Sequence, residues 1–248
     1  MAKSKLMLKE EMVLALNLKK YKDLNSNLKK FIKALFPNVK NDELVFCKKN
    51  NGSKIDLIVS LGSVSKNIAL FKEGICCVYR DKVKNLISFL LSIGVSNKCV
   101  LALLSYHYAD GSYGGDGNSK YFGDLLQINY IEQIQIVNEE FLNIDLYLKL
   151  LDYILFMEKS GKGVDYFYIG DSRRSIYATK NEVKSNILLK KDNYRHKYMR
   201  LGIFNFMPLK RATYYSEEIE VQKHYCLLRV RISNYVKKSQ EKHSLDSI

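Results

Sequence analysis

The 248 residues predict an α/β fold with a mixed central sheet. Three observations carry this. IDLIVSL (55–61) and NIALFK (67–72) are nearly continuous apolar runs joined by a short polar turn, as strands covered on both faces should be. Residues 81–94, DKVKNLISFLLSIG, place Val83, Leu86, Ile87, Leu90 and Leu91 on one helical stripe. From residue 20 to 108 the order of elements is helix, three strands, helix, strand.

Taken in order, residues 5–36 have helical periodicity, with Leu28, Phe31, Ile32 and Leu35 recurring at spacings of three and four before Pro37 and Asn38 end the segment. ELVFCKK (43–49) reads as a strand, and Asn50, Asn51 and Gly52 supply turn chemistry. The two central strands follow, then a short apolar piece, ICCVY (75–79), and the helix at 81–94, with Asp81 in its first turn and Gly94 as its stop. CVLALLSYHY (99–108) reads as another strand, and the Gly-rich 109–120 as a loop. Helical patterns run through 124–143 and 145–158. DYFYIG (165–170) is a strand, 171–174 a charged turn, and 178–191 a helix whose Thr179 N-cap and Glu182 form a capping box. Strands are expected at 201–206 and 224–232, the latter with Arg229 and Arg231 on one face, and 234–248 reads as a frayed polar tail. With no internal repeat and no Pro/Gly/Ser linker, one domain over 1–248 is expected: a core at about 20–108, an extension at about 109–232 and a tail at 233–248.

The formal charge is +14, from 40 Lys and Arg against 26 Asp and Glu, which favours a polyanionic partner. A Lys-, Asn- and Ile-rich composition also follows from AT-rich coding, so charge alone does not select nucleic acid. Five cysteines form neither a CxxC pair nor a Cys/His zinc pattern, and they read as reduced thiols of a cytoplasmic protein. No window reaches the roughly 20 apolar residues of a membrane span.

The chemistry centres on Asp56, which opens one central strand, and Lys72, which closes the next. An acid at the second strand and a lysine at the third of an αβββαβ core resembles the PD-(D/E)xK, or restriction-endonuclease-like, nuclease superfamily. The resemblance covers about a third of the chain. It implies Mg²⁺ or Mn²⁺ held by carboxylates, with a lysine beside the attacking water. Asp56 would then be a metal ligand and Lys72 the lysine. The usual second acid falls at Leu70, which cannot bind a hard cation. Some members place Ser there and take the acid from the following helix, which points to Asp81 as the second ligand. Glu73 should face away from Lys72, and Glu10 or Glu11 on the first helix are weaker substitutes. An Asp56 that merely caps a turn or pairs with Lys54 is the competing structural reading.

His107, Asp110 and Asp116 form a second cluster, read as turn chemistry rather than a hydrolytic site. Basic residues interleaved with aromatics offer phosphate contacts and stacking surfaces: Arg195, Lys197 and Arg200 among Tyr194 and Tyr198, then Lys210 and Arg211 before Tyr214 and Tyr215. Arg173 and Arg174 add to them from their turn. The expectation is a metal-dependent DNA endonuclease of restriction type, compatible with a homodimer. The alternatives are a catalytically silent nucleic-acid-binding protein on the same fold, or an interaction or toxin-like component of a defence system.

Overall fold

The computed structural model describes residues 4–52, 54–117, 128–158, 160–189, 198–208 and 223–245, and the chain divides into two compact units. The first comprises residues 1–76, 155–190 and 231–248, and the second residues 77–154 and 191–230.

The first unit is built on a six-stranded mixed sheet. Helix α1 (Lys5–Leu16) leads into the two-residue strand β1 (Lys19–Lys20), and α2 (Ser26–Leu35) follows. Strands β2 (Leu44–Lys49), β3 (Leu57–Leu61) and β4 (Val64–Phe71) form an antiparallel meander, with Leu57 opposite Ile68 in the β3–β4 ladder. Strand β6 (Tyr166–Gly170) lies parallel to β4, and β7 (Ser175–Thr179) antiparallel to β6, giving the order β1-β2-β3-β4-β6-β7. Helices α7 (Lys180–Leu188) and α8 (Ser233–Leu245) complete the unit, α8 packing on α7 and β7.

Sequence periodicity explains the core. Leu28, Phe31, Ile32 and Leu35 of α2 are buried together with Leu8, Met12 and Leu16 of α1, against Val45, Cys47, Leu57, Val59, Ile68, Leu70 and Tyr168 of the sheet. Asn25 caps α2, accepting from Leu28 N at 2.9 Å, and Thr179 with Glu182 closes the expected capping box on α7. Burial of these two apolar helix stripes on one sheet face is the main term holding the unit together.

The αβββαβ order is present, but with a different last strand. The expected strand at 99–108 is a helix, and the sheet takes its next strands from 166–179. The physical reason is legible in the burial: Cys99, Leu103 and Tyr106 are buried at spacings of four and three, and Ser96 caps the segment by accepting from Cys99 N. The tail, expected to fray, is helical over most of its length. Residues 233–245 form a helix that buries Tyr235, Val236 and Ser239.

The second unit carries α3 (Val83–Ser92), α4 (Asn97–Tyr108), α5 (Ile131–Glu140) and α6 (Ile144–Leu151), with a π-helical turn beginning at Asp152. Its sheet has the order β5-β10-β9-β8, from β5 (Cys76–Lys82), β8 (Arg200–Leu201), β9 (Phe204–Pro208) and β10 (Tyr225–Val230). Among the described residues no helix is long and apolar enough to cross a membrane.

Candidate functional site

Asp56 sits immediately before β3, its backbone N–H donating to the Ile68 carbonyl at 2.8 Å. Its side chain is 1% exposed. Oδ2 accepts from the Leu70 backbone N–H at 2.7 Å and lies 2.8 Å from Lys5 Nζ, while Oδ1 lies 2.7 Å from Lys9 Nζ. Lys5 and Lys9 are one helical turn apart on α1, so both ammonium groups reach the same carboxylate. Lys5 also lies 5.4 Å from the centroid of the Phe71 ring, and Lys9 donates to the Asn50 carbonyl at 3.4 Å. Three of the roughly four acceptor positions of the carboxylate are thereby filled.

The segment leading to Asp56 is fixed independently. Glu158 Oε1 accepts from the backbone N–H groups of Lys54 and Ile55 at 3.2 and 3.0 Å, and Lys54 Nζ donates to the Met157 carbonyl at 2.6 Å. Asp56 therefore neither caps a turn nor pairs with Lys54. Leu70 is fully buried in the α1–α2 core, so its side chain serves packing while its amide serves Asp56.

Lys72 follows the end of β4, and no ion pair joins it to Asp56. Instead it lines a crevice of about 610 Å³ with Leu8, Glu73, Ile169, Gly170, Asp171, Arg174, Ser175, Ile176 and Lys237. Asp81 belongs to the second unit and lies near the end of β5, not in the first turn of a helix; its Oδ1 accepts from Lys82 N at 2.7 Å and Asn85 Nδ2 at 2.8 Å. Glu10 pairs with Lys49 at 3.0 Å, and Glu11 accepts from the Ser172 hydroxyl at 2.6 Å. Among the described residues no group of three or more His, Cys, Asp or Glu could hold a metal ion. The carboxylate neighbourhood thus does not fit a divalent cation: the positions such an ion would need carry two ammonium groups.

Arg173 and Arg174 are exposed on the β6–β7 turn, as expected. Arg200 is half-buried and donates from Nε to Asn205 Oδ1 at 2.9 Å. Arg195, Lys197, Lys210 and Arg211 lie outside the described residues. Asp110 is held as turn chemistry, accepting from Ser112 N, Ser112 Oγ and Gly117 N. His107 is buried and its Nε2 lies 2.9 Å from the Lys223 carbonyl oxygen.

Lys5, Lys9 and Lys237 are not among the residues that the sequence pattern singles out. A signal existed for the first two, since Lys5 and Lys9 stand at helical spacing on a segment whose Leu8, Met12 and Leu16 face the sheet. Nothing in the polar tail singled out Lys237.

No family model and no curated protein matches the chain. Among solved structures it is similar to the restriction endonuclease MspI in complex with its cognate DNA, with 12% identity over 89% of this chain and 87% of that one and a TM-score of 0.45.

Proposed function

We propose that the chain is a DNA-binding protein built on a nuclease-type αβββαβ sheet, with the hydrolytic position occupied by its own lysines. The observation that carries this reading is the buried Asp56 carboxylate, engaged by Lys5, Lys9 and the Leu70 amide at 2.7–2.8 Å. The charge of +14 suits a polyanionic ligand, with phosphate contacts assigned to Arg173, Arg174 and, outside the described residues, Arg195, Lys197, Lys210 and Arg211. The experiment pairs anisotropy on labelled duplex DNA with incubation of plasmid DNA in Mg²⁺ or Mn²⁺. Salt-sensitive binding with intact plasmid is expected.

One observation favours the second reading, an active endonuclease: the acid and the lysine do stand at the start of one central strand and just past the end of its neighbour. That reading gives Asp56, Lys72 and Asp81 the roles implied by the superfamily resemblance. Metal-dependent cleavage that disappears in Asp56→Ala and Lys72→Ala would establish it and overturn the first.

A further inference from the structure

We infer that Lys72 belongs to an anion site, a crevice at the carboxyl ends of the parallel strands β4 and β6 that takes one phosphodiester group of a nucleic-acid backbone through Lys72 and Arg174. The inference rests on the DNA-binding reading and names the place where one phosphate would sit.

The location follows from topology. Parallel neighbours β4 and β6 end side by side, Leu70 opposite Tyr168 and Phe71 opposite Ile169, and the chain leaves both strands there. Crevices outside the carboxyl ends of parallel strands are where α/β sheets take ligands. This one is lined by three cations, Lys72, Arg174 and Lys237, and two acids, Glu73 and Asp171.

The acids are already engaged. Glu73 pairs with Lys237 at 3.6 Å. Asp171 Oδ1 accepts from the backbone N–H groups of Arg173 and Arg174 at 2.9 and 3.0 Å, the work of a turn-forming aspartate. Lys72 and the Arg174 guanidinium make no ion pair with any described residue, and the lining as a whole carries one surplus positive charge. A phosphodiester carries one negative charge, and a guanidinium fork beside an ammonium suits its two free oxygens.

The turn that presents Arg174 is held from below. Gly170 has φ +120°, and a Cβ there would collide with the Arg174 carbonyl oxygen, so the sharp exit from β6 requires glycine. Asn25 and Asn27 donate to the Ser172 carbonyl at 3.1 and 3.2 Å, Glu11 accepts from Ser172 N and Oγ, and Tyr168 donates to the Asp171 carbonyl at 2.6 Å. Helices α1 and α2 thus fix the turn, so the arginine stem starts from a set position.

The test uses the full chain, a fluorescein-labelled 20-base-pair duplex and anisotropy across a salt series. Lys72→Ala and Arg174→Ala should each weaken binding about 3- to 10-fold and lower the salt slope by about one. Glu73→Gln should tighten it. If the wild type binds while both alanine variants match it in affinity and slope, the crevice assignment falls and the DNA reading stands. If the wild type does not bind duplex DNA at low salt, the DNA reading falls, and thermal shift with inorganic phosphate then decides the crevice. Stabilisation seen in wild type and lost in both variants supports an anion site; no stabilisation of wild type overturns it.

Discussion

Asp56→Asn is the sharpest perturbation of this molecule. The substitution keeps the shape of the side chain, and its amide oxygen can still accept from Leu70 N. It removes the negative charge that two ammonium groups contact at 2.7 and 2.8 Å, and it points an N–H₂ donor at one of them. Removing one partner of a buried ion pair costs about 3–5 kcal/mol. Lys9, at 17% exposure, stands near that limit, whereas Lys5, at 46%, turns to water and loses little. A net loss of about 3 kcal/mol is therefore expected, with about 2 kcal/mol for Lys9→Met and under about 1 kcal/mol for Lys5→Met. Urea unfolding followed by circular dichroism measures it, as a midpoint lowered by about 1 M at a slope of about 2–3 kcal/mol/M. A carboxylate held in a strained hydrolytic centre behaves oppositely, since relieving such a site commonly stabilises the fold. An Asp56→Asn protein as stable as wild type, or more so, would refute the lysine-engaged reading.

Three further outcomes follow from burial and partners. Iodoacetamide at pH 8 should label exposed Cys77 rapidly and half-buried Cys76 slowly, leaving Cys47, Cys99 and Cys226 unmodified until urea is added, a pattern that peptide mass spectrometry reads directly. Burial pushes the thiols of those three from 9.0 up to about 12. The folded state therefore holds their protons more tightly, and the stability they contribute is present below about pH 9 and lost as the pH rises from about 9 towards 12. Urea midpoints should fall above pH 9, and Cys47→Val should flatten that fall. Deleting residues 233–248 removes α8, exposes the partners of Tyr235 and Val236, and leaves the buried Asn186 amide without the Tyr235 carbonyl and Ser239 hydroxyl it now meets at 2.9 and 2.8 Å. A loss of about 4 kcal/mol is expected on the same urea assay, and an unchanged midpoint would mean that α8 is only loosely docked.

Local rules carried the sequence reading where the signal was local. The α2 stripe, the Thr179–Glu182 capping box and the β2–β4 meander depend on residues a few positions apart, and each stands where periodicity placed it. CVLALLSYHY misled because ten apolar and aromatic residues fit either element; the buried spacing of Cys99, Leu103 and Tyr106 decides for helix only once neighbours cover one side. Strand β7 was hidden between a charged turn and a capped helix, and its pairing with β6 is tertiary. Helix α8 has too narrow an apolar face to stand out from its lysines. The site failed for a related reason. Asp56 and Lys72 were visible as an acid and a lysine on neighbouring strands, but the partners of Asp56 come from a helix some 47–51 positions away in sequence, and no pattern sets how that helix is rotated over the sheet.

That rotation explains how the buried Asp56 carboxylate is compensated by charges of the same chain. Uncompensated, the Asp56 carboxylate would cost several kcal/mol to bury. Lys5 and Lys9 bring two positive charges to within 2.8 Å of it, the same charge as a divalent cation, and they do so from a helix whose Leu8, Met12 and Leu16 are anchored in the core. The charge requirement of Asp56 is thus met from α1, and Lys72, just past the end of β4, makes no ion pair with it. With Arg174 on the adjoining turn it lines a crevice with a surplus positive charge, and whether a phosphate held there is also cleaved is what the paired binding and plasmid assays decide.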